Sequence, residues 1–165
     1  LDYNRKQADG PVAREAVDLV ELVENVVAAH SLPARAKLMH TELTLQARRC
    51  LAEPALLISV MDNLYSNAVH YGAESGNIRI HSYRHGEQVR IDVANSGEPI
   101  PAAEKNMIFE PFYQGSHQRK GAVKGSGLGL SIARDCVRQM QGELSLVDAP
   151  AGQVCFRITL PSAPE

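Results

Sequence analysis

Apolar residues at helical spacing first appear in "VDLVELVENVVAAH", where Leu19, Leu22, Val23, Val26 and Val27 form one stripe. The Leu32-Pro33 pair that follows is expected to end that helix. "HTELTLQA" alternates in the manner of a half-buried strand. Glu53-Pro54 then has the chemistry of a helix entrance, with an acidic residue at the positive helix end and Pro at the first helical position. The second helix is expected from Pro54 to about Tyr71, with Leu56, Leu57, Val60, Met61 and Leu64 in the core. "GNIRIHSYRHGEQVRIDVANSG" holds two alternating runs joined by "RHGE", a hairpin signal. From Glu98 to Gly125 the periodicity fails, and so long a connection inside a compact domain is usually functional or mobile. "SGLGLSIARDCVRQMQG" predicts a third helix closed by Gly142 as its C-terminal cap, and "GELSLVDAPAGQVCFRITLP" a final hairpin before the tail "SAPE". The order predicts an α+β fold, a two-layer α/β sandwich with a mixed sheet packed on about three helices.

Composition narrows the class without naming a chemistry. A chain of 165 residues is most simply one domain, with residues 11–161 as its body, 1–10 as a polar lead-in and 162–165 as a tail. The lead-in closes on Asp9-Gly10-Pro11, which marks a boundary or linker. A net charge of −2 gives no basic footprint for nucleic acid. No apolar run approaches transmembrane length, and no basic-then-apolar signal peptide opens the chain. Cys50, Cys136 and Cys155 are scattered with no C-x-x-C pair, which argues against a disulfide framework or a structural zinc and fits a reducing compartment. With Leu1 in place of an initiator Met, the sequence is expected to be a piece of a longer protein.

Chemistry is concentrated in four stretches. "DNLYSNAVHY" places Asn63 and Asn67 one helical turn apart, although Asn is a poor helix former whose amide competes for backbone groups. Two readings stand at this point: a solvated face with a bond to a neighbouring loop, or a site that needs neutral oxygen ligands. "VANSGEPIP" ends a strand in a turn, and "IFEPFYQG" is an apolar-aromatic patch that either docks the long loop on the body or belongs to a site. His117, Arg119, Lys120 and Lys124 follow, cations placed where a polyphosphate could be met. "KGSGLGLS" sets Gly125, Gly127 and Gly129 at alternate positions before a helix, which suits a close backbone approach to an anion. It is neither a Rossmann fingerprint nor a P-loop, since the third glycine comes one place early and the Lys precedes the Gly.

In this order, "DNLYSNAVHY", "VANSGEPI", "IFEPFYQG" and "GSGLGLSIA" resemble the N, G1, F and G2 boxes of the ATP-binding catalytic domain of sensor histidine kinases. That family belongs with DNA gyrase, the Hsp90 chaperone and the mismatch-repair ATPase, and the resemblance runs from about Val17 to Pro161. It implies a Bergerat-type ATP-binding fold with a mobile ATP lid over residues 98–124, and ATP and Mg²⁺ as cofactors. Asn67 matches the ligand of the triphosphate-bound Mg²⁺, with Asn63 as a second possible metal contact; the two are the implied catalytic residues. Hydrolysing relatives carry a glutamate at the place of Asn63, and an amide has no basic site to activate water. The resemblance gives the phosphates to His70 and the ribose–phosphate side to Tyr71. It makes Phe109 and Phe112 lid anchors, and extends the ATP site to Gly97, Ile100, Arg119, Lys120, Lys124, Gly125, Ser126, Gly127, Leu128, Gly129 and Leu130.

Two positions depart from the pattern. Asn95 stands where most relatives have the Asp that reads the adenine amino group, and Pro99 where they have a second glycine. An amide can face adenine with its oxygen or, flipped, guanine with its NH₂, so weaker ATP binding and poorer rejection of GTP are expected. None of the six histidines stands in the His-Glu-x-x-x-Pro setting of a phosphoacceptor helix, and the first ten residues resemble the end of a dimerisation helix. The resemblance therefore implies a γ-phosphate donor to a histidine on an upstream dimerisation domain, homodimeric in the full-length protein, with relay to a response regulator. It places the chain on the cytoplasmic side of a bacterial inner-membrane sensor, tied to the membrane only through upstream segments. The alternatives are a degenerate nucleotide-binding regulatory module and an ATPase of the same superfamily.

Overall fold

The computed structural model describes residues 12–111, 113 and 129–164. Strand β1 (Glu15–Asp18) leads into helix α1 (Leu19–Ala29), then α2 (Ser31–Ala36), β2 (His40–Leu45), β3 (Arg49–Ala52) and the long helix α3 (Pro54–Tyr71). Strands β4 (Asn77–His85) and β5 (Gln88–Ser96) follow, then a 3₁₀ turn at Ala102–Glu104, α4 (Gly129–Gln139), β6 (Glu143–Val147) and β7 (Gln153–Pro161). Five strands form one sheet in the order β2-β4-β5-β7-β6, with β2 parallel to β4 and every other pair antiparallel. The mixed sheet and its helical layer are those expected from the sequence. α3 touches both α1 and α4 and rests on β5, so Leu57, Met61 and Leu64 meet Ile80, Ile91 and Ile158 in a fully enclosed core.

The helix starts follow local chemistry. Asp18 caps α1 by accepting from Glu21 N at 3.1 Å, and Glu53 caps α3 by accepting from Ala55 N and Leu56 N at 3.1 and 3.3 Å. The β4–β5 connection is a two-residue loop between His85 and Gln88, with Gly86 at φ 65° as such a turn requires.

The structure bears out one expected helix end and corrects the sequence reading at two places. The first helix ends at Ala29, before Leu32-Pro33, as expected, and Pro33 itself lies in the first turn of the short α2, where its missing N–H has no intrahelical partner to lose. Val17 is a strand residue opposite Cys50, in a small β1–β3 sheet that the helical stripe concealed. The left-handed residue that ends α4 is Gln141, at φ 67°, with Gln141 N bonded to Arg138 O and Gly142 N to Val137 O in a Schellman arrangement. Gly142 serves packing instead, since a Cβ there would lie 2.1 Å from Thr159 O.

Candidate functional site

Strand alternation builds one wall of a pocket. On β5 the core-facing residues are Val89, Ile91, Val93 and then Asn95, an amide in line with three apolar side chains. Asn95 stands between Ile78 of β4 and Val154 of β7, and Val93 stands opposite Phe156. It is 8% exposed and, with Ser82, makes up the buried polar residues among those described. Ser82 is explained structurally, because its hydroxyl donates to Ala47 O at 2.5 Å. Asn95 has a different setting. Its Nδ2 donates to Ser96 O at 3.0 Å, and the residue lines a pocket.

The opposite wall is α3. Leu64, Asn67, Ala68 and Tyr71 recur at helical spacing along one face of the same pocket, and Ile100, Ile108 and Leu130 close its sides. The cavity of about 110 Å³ holds several waters or one flat ring but less than a whole nucleotide, so the rest of a ligand of that size lies over its rim. Burial raises the Tyr71 phenol above its ordinary pKa, so it stays neutral around pH 7. Asn67 Nδ2 makes a long 3.5 Å contact with Asn63 Oδ1, which leaves the Asn67 oxygen outside that contact. Gly129, the first residue of α4, lies so close to this pair that a Cβ on it would come within 2.4 Å of Asn63 Nδ2.

The site residues expected from the sequence are thus brought together in part. Asn67, Tyr71, Asn95, Ile100 and Leu130 line one cavity, and Asn63 and Gly129 meet at its α3–α4 end. Gly97 adjoins Asn95, with room for no more than a tight Cβ 3.1 Å from its Nδ2. Phe109 packs edge-on to Phe156 and under the Arg134 guanidinium, 4.2 Å from its ring, so the aromatic patch docks on the body beside the pocket. His70 is not among the lining residues; its ring meets that of Tyr71 edge-on. Phe112, Arg119, Lys120, Lys124, Gly125, Ser126, Gly127 and Leu128, and with them residues 114–124 of the expected lid, lie outside the described residues. Sequence reasoning missed Ala68, Val93, Glu98, Ile108, Val154 and Phe156, and placed Leu64 only in the core. For Val154 and Phe156 the signal existed, in the alternation of β7 that puts both on the face shared with Ile158.

Known proteins place this arrangement. The model of the histidine kinase-, DNA gyrase B- and HSP90-like ATPase family matches residues 52–164. The sensor histidine kinase GlrK of Escherichia coli K12 is 72% identical over 99% of this chain, and the chain spans 34% of its length. The nucleotide-free catalytic domain of histidine kinase ThkA superposes with a TM-score of 0.80 at 29% identity, covering 93% of this chain and all of that one. A structure of ThkA in complex with the response regulator protein TrrA gives 0.75 at 27% identity, over 92% of this chain and 42% of that one. The match covers both walls of the pocket, from the start of α3 to the end of β7, and the chain belongs to the histidine kinase-, DNA gyrase B- and HSP90-like ATPase family.

Proposed function

We propose that this chain is the catalytic, ATP-binding domain of a two-component sensor histidine kinase, donating the γ-phosphate of Mg-ATP to a histidine on an upstream dimerisation domain. The observation that carries the proposal is the convergence of Asn67 and Asn95 on one cavity between α3 and β5. The identity to GlrK, over about a third of its length, supports the role in a longer sensor protein. The adenine ring enters between Val93, Phe156 and Ala68, and the Asn95 oxygen accepts its amino hydrogen. Because a carbonyl can only accept, the bond to Ser96 O fixes which end of the Asn95 amide faces the base.

The metal fits the residues present. Among the described residues no group of three or more His, Cys, Asp or Glu could hold an ion. A cation that takes few protein oxygens and fills its shell with water and phosphate oxygens suits the Asn67 amide, with Asn63 beside it. When bound, Mg²⁺ neutralises charge on the polyphosphate. Asn63 holds the Asn67 amide and, lacking a basic atom, takes no proton from water. The γ-phosphate is therefore kept for a protein nucleophile instead of being lost to hydrolysis.

The response regulator, the homodimer and the position on the cytoplasmic face of a bacterial membrane follow from the same proposal. The regulator complex of the similar ThkA supports the first, and no helix among the described residues is long and apolar enough to cross a membrane. The test is calorimetric titration of the chain with ATP, with and without Mg²⁺, followed by transfer of labelled phosphate to a separately supplied acceptor domain. Binding with transfer is the expected result. Binding without transfer would make this a nucleotide-binding module, and phosphate release of about 1 s⁻¹ or more would make it an ATPase.

A further inference from the structure

Lys37 lies outside the pocket, in the turn between α2 and β2, yet its ammonium is spent wholly on the end of α3. Nζ donates to Val69 O at 2.8 Å, His70 O at 2.9 Å and Gly72 O at 2.6 Å. Two of these are last-turn carbonyls with no intrahelical donor, and a cation there also opposes the negative end of the helix dipole. The main chain of the same residue holds the far side of the turn, where Ser75 N donates to Lys37 O at 2.8 Å. Lys37 therefore grips residues 69–75 from both ends. Burial lowers its pKa while Glu74 raises it, as for an ammonium partly withdrawn from water into a cage of carbonyls.

The gripped segment is bonded directly to the base-reading end of β5. Ala73 N donates to Ser96 O at 2.8 Å, and the same oxygen takes the Asn95 Nδ2 bond at 3.0 Å. The junction has no slack. A Cβ on Gly72 would lie 2.4 Å from the Met39 methyl and 3.4 Å from Ser96 O, and one on Gly97 would lie 3.3 Å from Tyr71 O. A shift of residues 69–73 must therefore move Ser96 O, and with it the amide that Ser96 O orients.

We infer that Lys37 is a positioning residue of the nucleotide site, holding Tyr71 at the pocket wall and, through Ala73 and the Ser96 carbonyl, the orientation of the Asn95 amide. The inference rests on the proposed nucleotide-binding function. Without the ammonium the end of α3 frays, Ser96 O moves, and the Asn95 amide can turn its NH₂ towards a guanine carbonyl.

The test is a double-mutant cycle on the whole chain, reading dissociation constants for Mg-ATP and Mg-GTP in wild type, Lys37→Met, Asn95→Ala and the double variant. Lys37→Met is expected to lower the ATP preference over GTP roughly two- to tenfold in the wild-type background and to leave it unchanged in Asn95→Ala, as coupled neighbours do. A merely structural lysine would weaken both nucleotides alike. An unmoved ratio, or the same change in both backgrounds, therefore overturns the inference. Should Lys37→Met not fold, Lys37→Arg carries the same comparison, since a planar guanidinium keeps the charge but cannot point three donors at carbonyls around one atom. It is expected to shift the ratio in the same direction by less, and an unchanged ratio again overturns the inference. Failure of the wild type to bind any nucleotide would instead refute the proposed function itself.

Discussion

Replacing Asn95 by Asp separates the two tasks of its amide. In the folded chain Nδ2 donates to Ser96 O at 3.0 Å, at a residue that is 8% exposed. An ionised carboxylate has no donor, so the substitution deletes that bond and sets an acceptor against an acceptor. Loss of a buried bond of this kind costs about 1–3 kcal/mol. Ser96 O keeps its bond from Ala73 N at 2.8 Å, so the carbonyl is not orphaned and the lower half of that range applies. For a chain of this length a loss of about 1–2 kcal/mol lowers Tm by roughly 2–8 °C. The effect on ligand choice has the opposite sign. In the wild type, turning the amide to suit guanine gives up the Ser96 bond, worth about 1 kcal/mol net, or about fivefold in affinity. On the proposed role of Asn95 the pinned amide should therefore already favour ATP, which narrows the tolerance of GTP expected from an unrestrained Asn. Asp removes the option of turning altogether, and its preference for ATP should rise by up to the roughly tenfold to hundredfold that a base contact commands. The assay pairs thermal melting without ligand with calorimetric constants for ATP and GTP in wild type and Asn95→Asp. The expected result is a lower Tm with a higher ATP:GTP ratio. An unchanged Tm would show that the Ser96 bond does not hold the amide, and an unchanged ratio would show that Asn95 does not read the base.

Asn67→Ala should abolish the tightening of ATP binding by Mg²⁺ while leaving the melting temperature near wild type, because its amide contact with Asn63 is a long one, 3.5 Å; calorimetry with and without Mg²⁺ decides this, and a retained Mg²⁺ effect sinks the assignment. Gln141→Gly should stabilise the fold by a few tenths to about 1 kcal/mol by relieving the left-handed backbone at φ 67°. Gly142→Ala should destabilise it by more than that, since the added Cβ falls 2.1 Å from Thr159 O; urea midpoints of the two variants, moving in opposite directions, are the check. Burial pushes the Cys50 thiol up to about 12 and the Cys155 thiol to about 11, so both stay protonated and enclosed at pH 8. Neither should be alkylated in the native chain, and both should be in urea, as mapped by mass spectrometry of digests.

Much of the fold is legible in the sequence because local chemistry and burial agree there. Glu53-Pro54 announces α3 and caps it, and the alternation of residues 77–96 is the alternation of the sheet face. The misses occur where a tertiary partner outweighs the local signal. Val17 fits the helical stripe, but its backbone pairs with Cys50 in a four-residue strand too short to show alternation of its own. Gln141 takes the left-handed position at the end of α4, a place that glycine usually fills, because Gly142 is needed one residue later by the approach of β7.

The candidate site is proposed from the motif resemblance, and what that reading leaves open follows from the physics of an amide. The resemblance alone singles out Asn95, as the residue standing where most relatives carry Asp; the structure adds that it lies in line with Val89, Ile91 and Val93, a register in which a polar residue is costly unless it is bonded. Spacing could not say which end of its amide faces the pocket. That depends on Ser96 O, whose position depends on Ala73 and, through residues 69–72, on Lys37 more than fifty residues away along the chain. One-dimensional pattern identifies the residue that must be explained. The orientation of its donors belongs to a network assembled only when α2, the end of α3 and β5 meet. Neutral amides make that dependence strong, since a carboxylate presents an acceptor whichever way it turns, while an amide changes chemistry when it flips. On the proposed base-reading role of Asn95, the choice between adenine and guanine is therefore expected to depend as much on the backbone behind Asn95 as on Asn95 itself.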